Sequence, residues 1–237
     1  MMNHQYELTD LAIKTYQDKF KSKGVVVIKN FLPKEVADSL HLELNDLVTW
    51  RLFFLGLRGL QSMSLKEFEQ LSLKERKTVE KEIKEVAVKG FQFRYCSFPI
   101  GDPKAVNEGM TRQLEHLIPT YFNETFRHFI IDLINDFSIE THNIQAAYYP
   151  PSGFLMPHDD SHTAVNRRCA FIYHLTKEWK KEWGGCLEFM DNDNNVIHQL
   201  QPLYNSLTIF KVPQLHQVSK VSEHCISKRL TIHGWCF

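Results

Sequence analysis

The sequence predicts a mainly β protein, a sandwich or jelly roll buttressed by N-terminal helices. Two observations carry this. Beyond about residue 140 the chain breaks into short apolar runs separated by turn formers, whereas before it apolar residues recur at helical spacing. Short strands in succession bury their inner faces only where sheets pack or curl on one another, and the helices before them supply a cover.

The bulk properties bound the rest. The chain has 237 residues, 43% hydrophobic and 24% charged, an ordinary globular composition with enough length for a sizeable core. Its 28 basic and 28 acidic residues cancel, so no global field draws it to nucleic acid or anionic lipid. The opening "MMNHQYELTD" lacks the basic and apolar segments of a signal peptide, and no apolar run is long enough to span a bilayer. Cys96, Cys169, Cys186, Cys225 and Cys236 are odd in number and form no Cys-x-x-Cys, which argues against a disulfide framework or a zinc ribbon. The expectation is a cytoplasmic protein with no nucleic-acid or membrane partner. No repeat or Gly/Ser linker divides it, so residues 1–237 read as one domain. Residues 1–139 form a helical flank with the first strands, and 140–237 form the jelly-roll core.

In chain order, residues 25–47 read as a buried strand followed by a helix. Pro33 lies in its first turn, and Val36, Leu40, Leu44 and Leu47 lie on one face. Residues 64–87 are helix-prone and heavily charged, with Glu nearly balancing Lys, as in a solvated helix over the core. "GFQFRYCSF" (90–98) is an aromatic strand. Together with that helix it is a candidate wall for an open groove. Another helix is expected after Pro119, with Phe122, Phe126, Phe129, Ile130 and Leu133 as a core stripe. The strands that follow are "NIQAAYYP", "GFLMPHDD", "RRCAFIYHL", "GCLEFMD", "NSLTIFKV", "HQVSKV" and "RLTIHGWCF". Turns fall at residues 150–153, 184–185 and 191–195.

The chemistry concentrates in "PHDDSHT" (157–163). His158 and Asp160 stand two apart, so on a strand or its frayed end they project to one face. His216 in "PQLHQVSKV" offers a third ligand from a later strand. Two imidazoles and one carboxylate on one face of an octahedron leave open positions, as in non-haem Fe(II) oxygenases. Arg229, further on in "RLTIHGW", carries a fixed fork of donors that suits the far end of a dicarboxylate, and Thr231 faces the same way. Asp159 falls on the opposite face and reads as a turn residue, and His162 as a loop residue. His233 shares the Arg229 face, with packing and pocket roles equally open, and Trp235 reads as packing. His4, His41, His116, His128, His142, His198 and His224 follow no metal spacing.

Taken together, "YPPSGFLMPHDD…RRCAFIYHLTKEW…EWGGCLEF…QPLYNSLTIF…HQVSKV…RLTIHGW" resembles the prolyl-hydroxylase branch of the 2-oxoglutarate- and Fe(II)-dependent oxygenases, the ribosomal-protein prolyl hydroxylases most of all. The resemblance covers residues 143–237 well and 25–47 loosely. It implies a distorted double-stranded β-helix that uses Fe(II), 2-oxoglutarate and O2, with ascorbate as a candidate auxiliary, and that forms succinate. It also implies His158, Asp160 and His216 as iron ligands and Arg229 on the distal carboxylate of the co-substrate. Tyr149 and Thr231 would be further co-substrate contacts. His174 departs from the pattern, standing where the family has a co-substrate tyrosine. Asn205 and the Gly184-Gly185 turn fall on motif positions and read as structural. The implied substrate is a prolyl residue of a protein or peptide. A small molecule or free amino acid, a cupin-like metalloprotein of other chemistry, and an inactive binding module are the alternatives. The sequence is silent on oligomeric state.

Overall fold

The computed structural model describes residues 6, 8–46, 49–102, 104 and 109–237. The predicted core position Leu47 and the histidine His4 lie outside them.

Helix α1 (Asp10–Lys23) starts where the Thr9 hydroxyl accepts from the Ala12 amide, and stops at Gly24, whose φ of 67° suits a residue without Cβ. Strand β1 (Val25–Lys29) buries Val26 and Ile28 by alternation. Helix α2 (Lys34–Asp46) then buries Val36, Leu40 and Leu44 as the spacing predicts. Strands β2 (Arg51–Gly56) and β3 (Gly59–Ser64) form a hairpin that the sequence pattern did not reveal, because β3 leaves both faces half exposed.

The charged helix predicted over 64–87 is in fact two, α3 (Leu65–Gln70) and α4 (Leu73–Lys89). The break is local chemistry. The Ser72 hydroxyl accepts from the Glu75 amide while the Glu75 carboxylate accepts from the Ser72 amide, a capping box that starts a new helix. Strand β4 (Phe93–Phe98) follows. The helix expected after Pro119 is likewise split. Pro119 lies inside α5 (Arg112–Tyr121), and Asn123 caps α6 (Glu124–Ile134) by accepting from the Thr125 and Phe126 amides. Phe126, Ile130 and Leu133 are buried as predicted, and Phe122 is buried from the end of α5.

The predicted strands follow as β5 (Gln145–Tyr149), β6 (Phe154–His158), β7 (Cys169–His174), β8 (Leu187–Met190), β10 (Ser206–Lys211), β11 (His216–Val218) and β12 (Arg229–Cys236). An additional strand, β9 (Val196–Leu200), borders β8 at the edge of the sheet. It is exposed on both faces and so carries no alternation to read. The strands join in the antiparallel order β1-β10-β7-β12-β5-β4-β6-β11-β8-β9, with β2 and β3 attached beside β4, and the sheet curls into a half-barrel. The helices cover one side over a continuous apolar cluster that includes Leu40, Phe126, Phe171 and Ile232. No helix among the described residues is long and apolar enough to cross a membrane.

Asn205 fastens the N-terminal segment to this sheet. Its side-chain oxygen accepts from the Leu32 amide (3.0 Å) and the Tyr173 hydroxyl (2.9 Å), and its amide donates to the Leu32 carbonyl (2.8 Å).

Candidate metal centre and co-substrate pocket

The hollow of the sheet holds a cavity of about 200 Å³. His158, Asp160 and His216 meet at its wall, with ligand atoms all within 4.8 Å of one another. His158 ends β6 and lies directly across from His216 on β11, so strand pairing brings the two imidazoles together. Asp160 arrives differently from the expectation. Its φ of 62° places it in the left-handed region two residues beyond the end of β6, so a turn, and not strand alternation, aims its carboxylate back at His158. The physical reason is that Asp tolerates this region better than most side chains do. Asp159 is exposed and takes the turn role, its carboxylate accepting from the Ser161 amide (2.9 Å).

Each histidine is fixed by its far nitrogen. His158 Nδ1 donates to the Met156 carbonyl (3.0 Å) and His216 Nδ1 to the Gln214 carbonyl (2.7 Å). A carbonyl only accepts, so each ring carries a proton on Nδ1 and turns its Nε2 inward. The Nε2 atoms face Asp160, that of His158 at 3.4 Å from Oδ1 and that of His216 at 3.5 Å from Oδ2. Burial pushes the Asp160 carboxyl up, but pairing with His158 and the fields of both rings bring it down to about 2, so it is an anion at neutral pH. Burial, aided by His158, pushes His216 down to about 4, which keeps it neutral. Two imidazole nitrogens and a carboxylate oxygen so placed are the donor set of a metal site.

Arg229 lies in the wall of the same cavity and is only 1% exposed. Its Nε donates to the Gly185 carbonyl (2.5 Å), and its guanidinium lies over the Tyr149 ring at 4.6 Å. Its Nη2 is buried with no hydrogen-bond partner among the described residues. A buried cation without an anion is costly, so this geometry calls for an anionic ligand. The Gly184-Gly185 turn thus does more than bend the chain, since φ of 64° and 63° aims a carbonyl at Arg229. Thr231 and His233 line the cavity on the same face of β12, and His233 Nε2 meets the Gln145 side chain at 2.9 Å. Burial pushes His233 down to about 4, against the field of Asp160 and with that of Arg229.

His174 sits opposite Thr231 across β7 and β12, behind the wall of the cavity. Its Nε2 meets the Thr208 hydroxyl at 3.2 Å, and its Nδ1 is buried without a partner. Burial and then the Arg229 guanidinium push its pKa down to about 3, so it is a neutral ring. Tyr149 stacks on Tyr95 with ring centroids 5.5 Å apart, and burial pushes its hydroxyl up.

Trp235 packs against the cluster of Ala170, Leu187, Phe189 and Phe210, as expected, and it also lines the cavity, which its even spacing from Arg229, Thr231 and His233 on β12 signals. Of the two candidate groove walls, the strand contributes Phe91, Phe93 and Tyr95 to the cavity. The helices over 65–89 contribute none of its lining, because α4 packs on β2 instead. His162 is exposed in the loop after the triad, as expected.

Comparison with known proteins places these features in context. Residues 144–237 match the model of the 2OG-Fe(II) oxygenase superfamily. The prolyl 3-hydroxylase OGFOD1 of Xenopus laevis is 34% identical over 143 residues, 56% of this chain but 26% of that protein, so the chain spans about a quarter of its curated relative. Among solved structures, a Pseudomonas putida prolyl-4-hydroxylase superposes with a TM-score of 0.56 at 16% identity, covering 94% of this chain and 97% of that one. A Trichoplax adhaerens prolyl hydroxylase, solved with a hypoxia-inducible-factor peptide, gives 0.56 at 16% identity, covering 97% and 94%. At these identities the structures show the fold alone, a jelly roll.

Proposed function

We propose, from the match of residues 144–237 to the 2OG-Fe(II) oxygenase superfamily model, that the chain is an Fe(II)- and 2-oxoglutarate-dependent dioxygenase that hydroxylates a prolyl residue of a polypeptide. The observation that carries this reading is a bare His-Asp-His donor set and an uncompensated buried guanidinium in the wall of one small cavity. The orphaned Arg229 Nη2 is the fit test for the co-substrate, since an anion with several acceptor oxygens satisfies it.

In this reading His158, Asp160 and His216 hold the iron. Arg229 binds the distal carboxylate of 2-oxoglutarate, with Thr231, Tyr149 and His174 around it. Iron, 2-oxoglutarate and O2, when bound, would supply the chemistry: one oxygen atom of O2 goes to the substrate C–H bond and the other to succinate, with 2-oxoglutarate losing CO2. The chain's own residues position and shield. The Met156 and Gln214 carbonyls fix the imidazole tautomers, the Gly185 carbonyl and Tyr149 ring orient the guanidinium, and Phe93, Tyr95, Leu155, Leu187 and Phe210 keep the cavity apolar. No side chain has to act as a strong base.

Neither a cupin-like metalloprotein of other chemistry nor a silent binding module accounts for a buried arginine lacking its anion. The prolyl part of the proposal draws support from the prolyl-hydroxylase relatives, and the aromatic Phe91 and Phe93 beside the triad suit a pyrrolidine ring. We further read residues 1–237 as one functional domain, because strands from the N-terminal half pair into the same sheet. The test is succinate release with Fe(II) and 2-oxoglutarate across a panel of proline-containing peptides and free metabolites, with mass spectrometry of the products. Added oxygen on a peptide proline is expected. Succinate release driven only by a metabolite overturns the polypeptide assignment, and no release under any condition overturns the oxygenase assignment.

A further inference from the structure

Arg167 is a second arginine near the metal centre that the proposed chemistry does not use; it stands behind the cavity, in the loop that follows Asp160. Its Nη1 donates to the main-chain carbonyl of Asp160 (3.0 Å) and lies 3.7 Å from the Asp160 carboxylate. Its guanidinium carbon sits 4.0 Å from the centre of the Trp235 ring, whose other surroundings include the cavity. The side chain is 18% exposed, and its Nε is buried without a partner among the described residues.

These contacts converge on the residue with the least support from the sheet. Asp160 follows the end of β6, stands at a φ of 62°, and holds no strand register, so its backbone needs an anchor of another kind. We propose that Arg167 is a positioning residue for the metal centre: pinned on the Trp235 ring, it holds the Asp160 backbone in the left-handed turn that aims the carboxylate between His158 and His216.

The grip is on the backbone more than on the charge. A separation of 3.7 Å is too long for a hydrogen bond, so both carboxylate oxygens stay available, whereas 3.0 Å to the carbonyl is an ordinary one. A planar guanidinium can stack on an indole and donate in its own plane at the same time, and an ammonium cannot. The neighbouring residue divides the labour. Arg168 turns outward to Asp136 (2.8 Å) and its amide donates to the Cys236 carbonyl (2.8 Å), which pins the far end of the 159–168 loop to β12. Since Trp235 and Arg229 share that strand, the clamp also ties the third ligand to the element that carries the co-substrate arginine.

This inference rests on the triad being a metal site, and the test separates the two. Mn(II) affinity is measured by electron paramagnetic resonance on the full chain, alongside the melting temperature of the metal-free protein, for wild type, Arg167→Ala and Arg167→Lys. Arg167→Ala is expected to weaken Mn(II) binding by about tenfold or more, the usual range for groups that orient a ligand. The metal-free melting temperature should change little, because the 161–166 loop is exposed. Arg167→Lys, which keeps charge but loses the stacked fork, should recover only part of the affinity. Affinity within twofold of wild type in both variants overturns the clamp and leaves the metal site standing. So does a loss of affinity that only tracks a fall in metal-free stability. Should Arg167→Ala not fold, Arg167→Lys decides alone: affinity equal to wild type sinks the proposal. Wild-type protein that binds no Mn(II) sinks the metal reading itself.

Discussion

At the scale of single residues, the site is a set of buried groups waiting for partners of opposite character. Arg229→Lys keeps the charge but loses the fork, so 2-oxoglutarate binding is expected to weaken by about tenfold or more while Mn(II) affinity stays near wild type. Separate titrations of the two ligands check this. His174 makes a pH prediction. Its folded pKa of about 3 lies below the ordinary value of 6.5, so the unfolded chain binds the extra proton first as pH falls. Its contribution to stability is therefore complete above about pH 6.5 and is lost progressively towards pH 3. Burial lowers His216 and His233 in the same direction, so wild type is expected to lose stability between pH 7 and 5. His174→Phe should show a shallower loss, read from denaturant midpoints at the two pH values. Equal slopes would show that His174 is already protonated in the fold.

At the scale of elements, register does most of the assembly. Pairing of β6 with β11 sets His158 against His216, and pairing of β5 with β12 sets Tyr149 beneath Arg229. Alternation along β12 made Arg229, Thr231 and His233 legible from the sequence as one face, and the same alternation places Trp235 there. The spacing of His158 and Asp160 singled the pair out, but a left-handed residue beyond the end of β6, and not strand alternation, presents Asp160 to His158. The helices show the opposite lesson. Their apolar stripes were readable, but their ends depended on Ser72 and Asn123 caps that compete with the continuing periodicity. Asn205 joins the elements. Asn205→Ala leaves the buried Leu32 backbone groups and the Tyr173 hydroxyl without partners, a cost on the order of 3 kcal/mol. Urea denaturation should show it as a lower midpoint, and a change below about 0.5 kcal/mol would mean that water or a shifted backbone replaces the amide.

At the scale of the whole molecule, metal and co-substrate should act as stabilisers because the folded sheet alone assembles their site. Ligand at 100 times its dissociation constant adds about 2.7 kcal/mol to the folded state. Mn(II) with 2-oxoglutarate is therefore expected to raise the melting temperature of wild type by several degrees. Asp160→Ala, which leaves two imidazoles, should abolish most of the shift. A shift of equal size in that variant would place the metal elsewhere.

The sequence by itself determined the strand succession after residue 140, the types and spacing of the candidate ligands, the candidate co-substrate arginine and the apolar stripes of the helices. All of these are local periodicities or short motifs, written in neighbouring residues. Only the tertiary structure decided that His158 and His216 meet across β6 and β11, that Arg229 is buried with Nη2 unpartnered, that Trp235 faces the cavity and that the Arg167 guanidinium lies on the Trp235 ring. Those properties depend on burial and on groups brought together from distant parts of the chain, such as the Gly185 carbonyl beside Arg229, which no single stretch of sequence encodes.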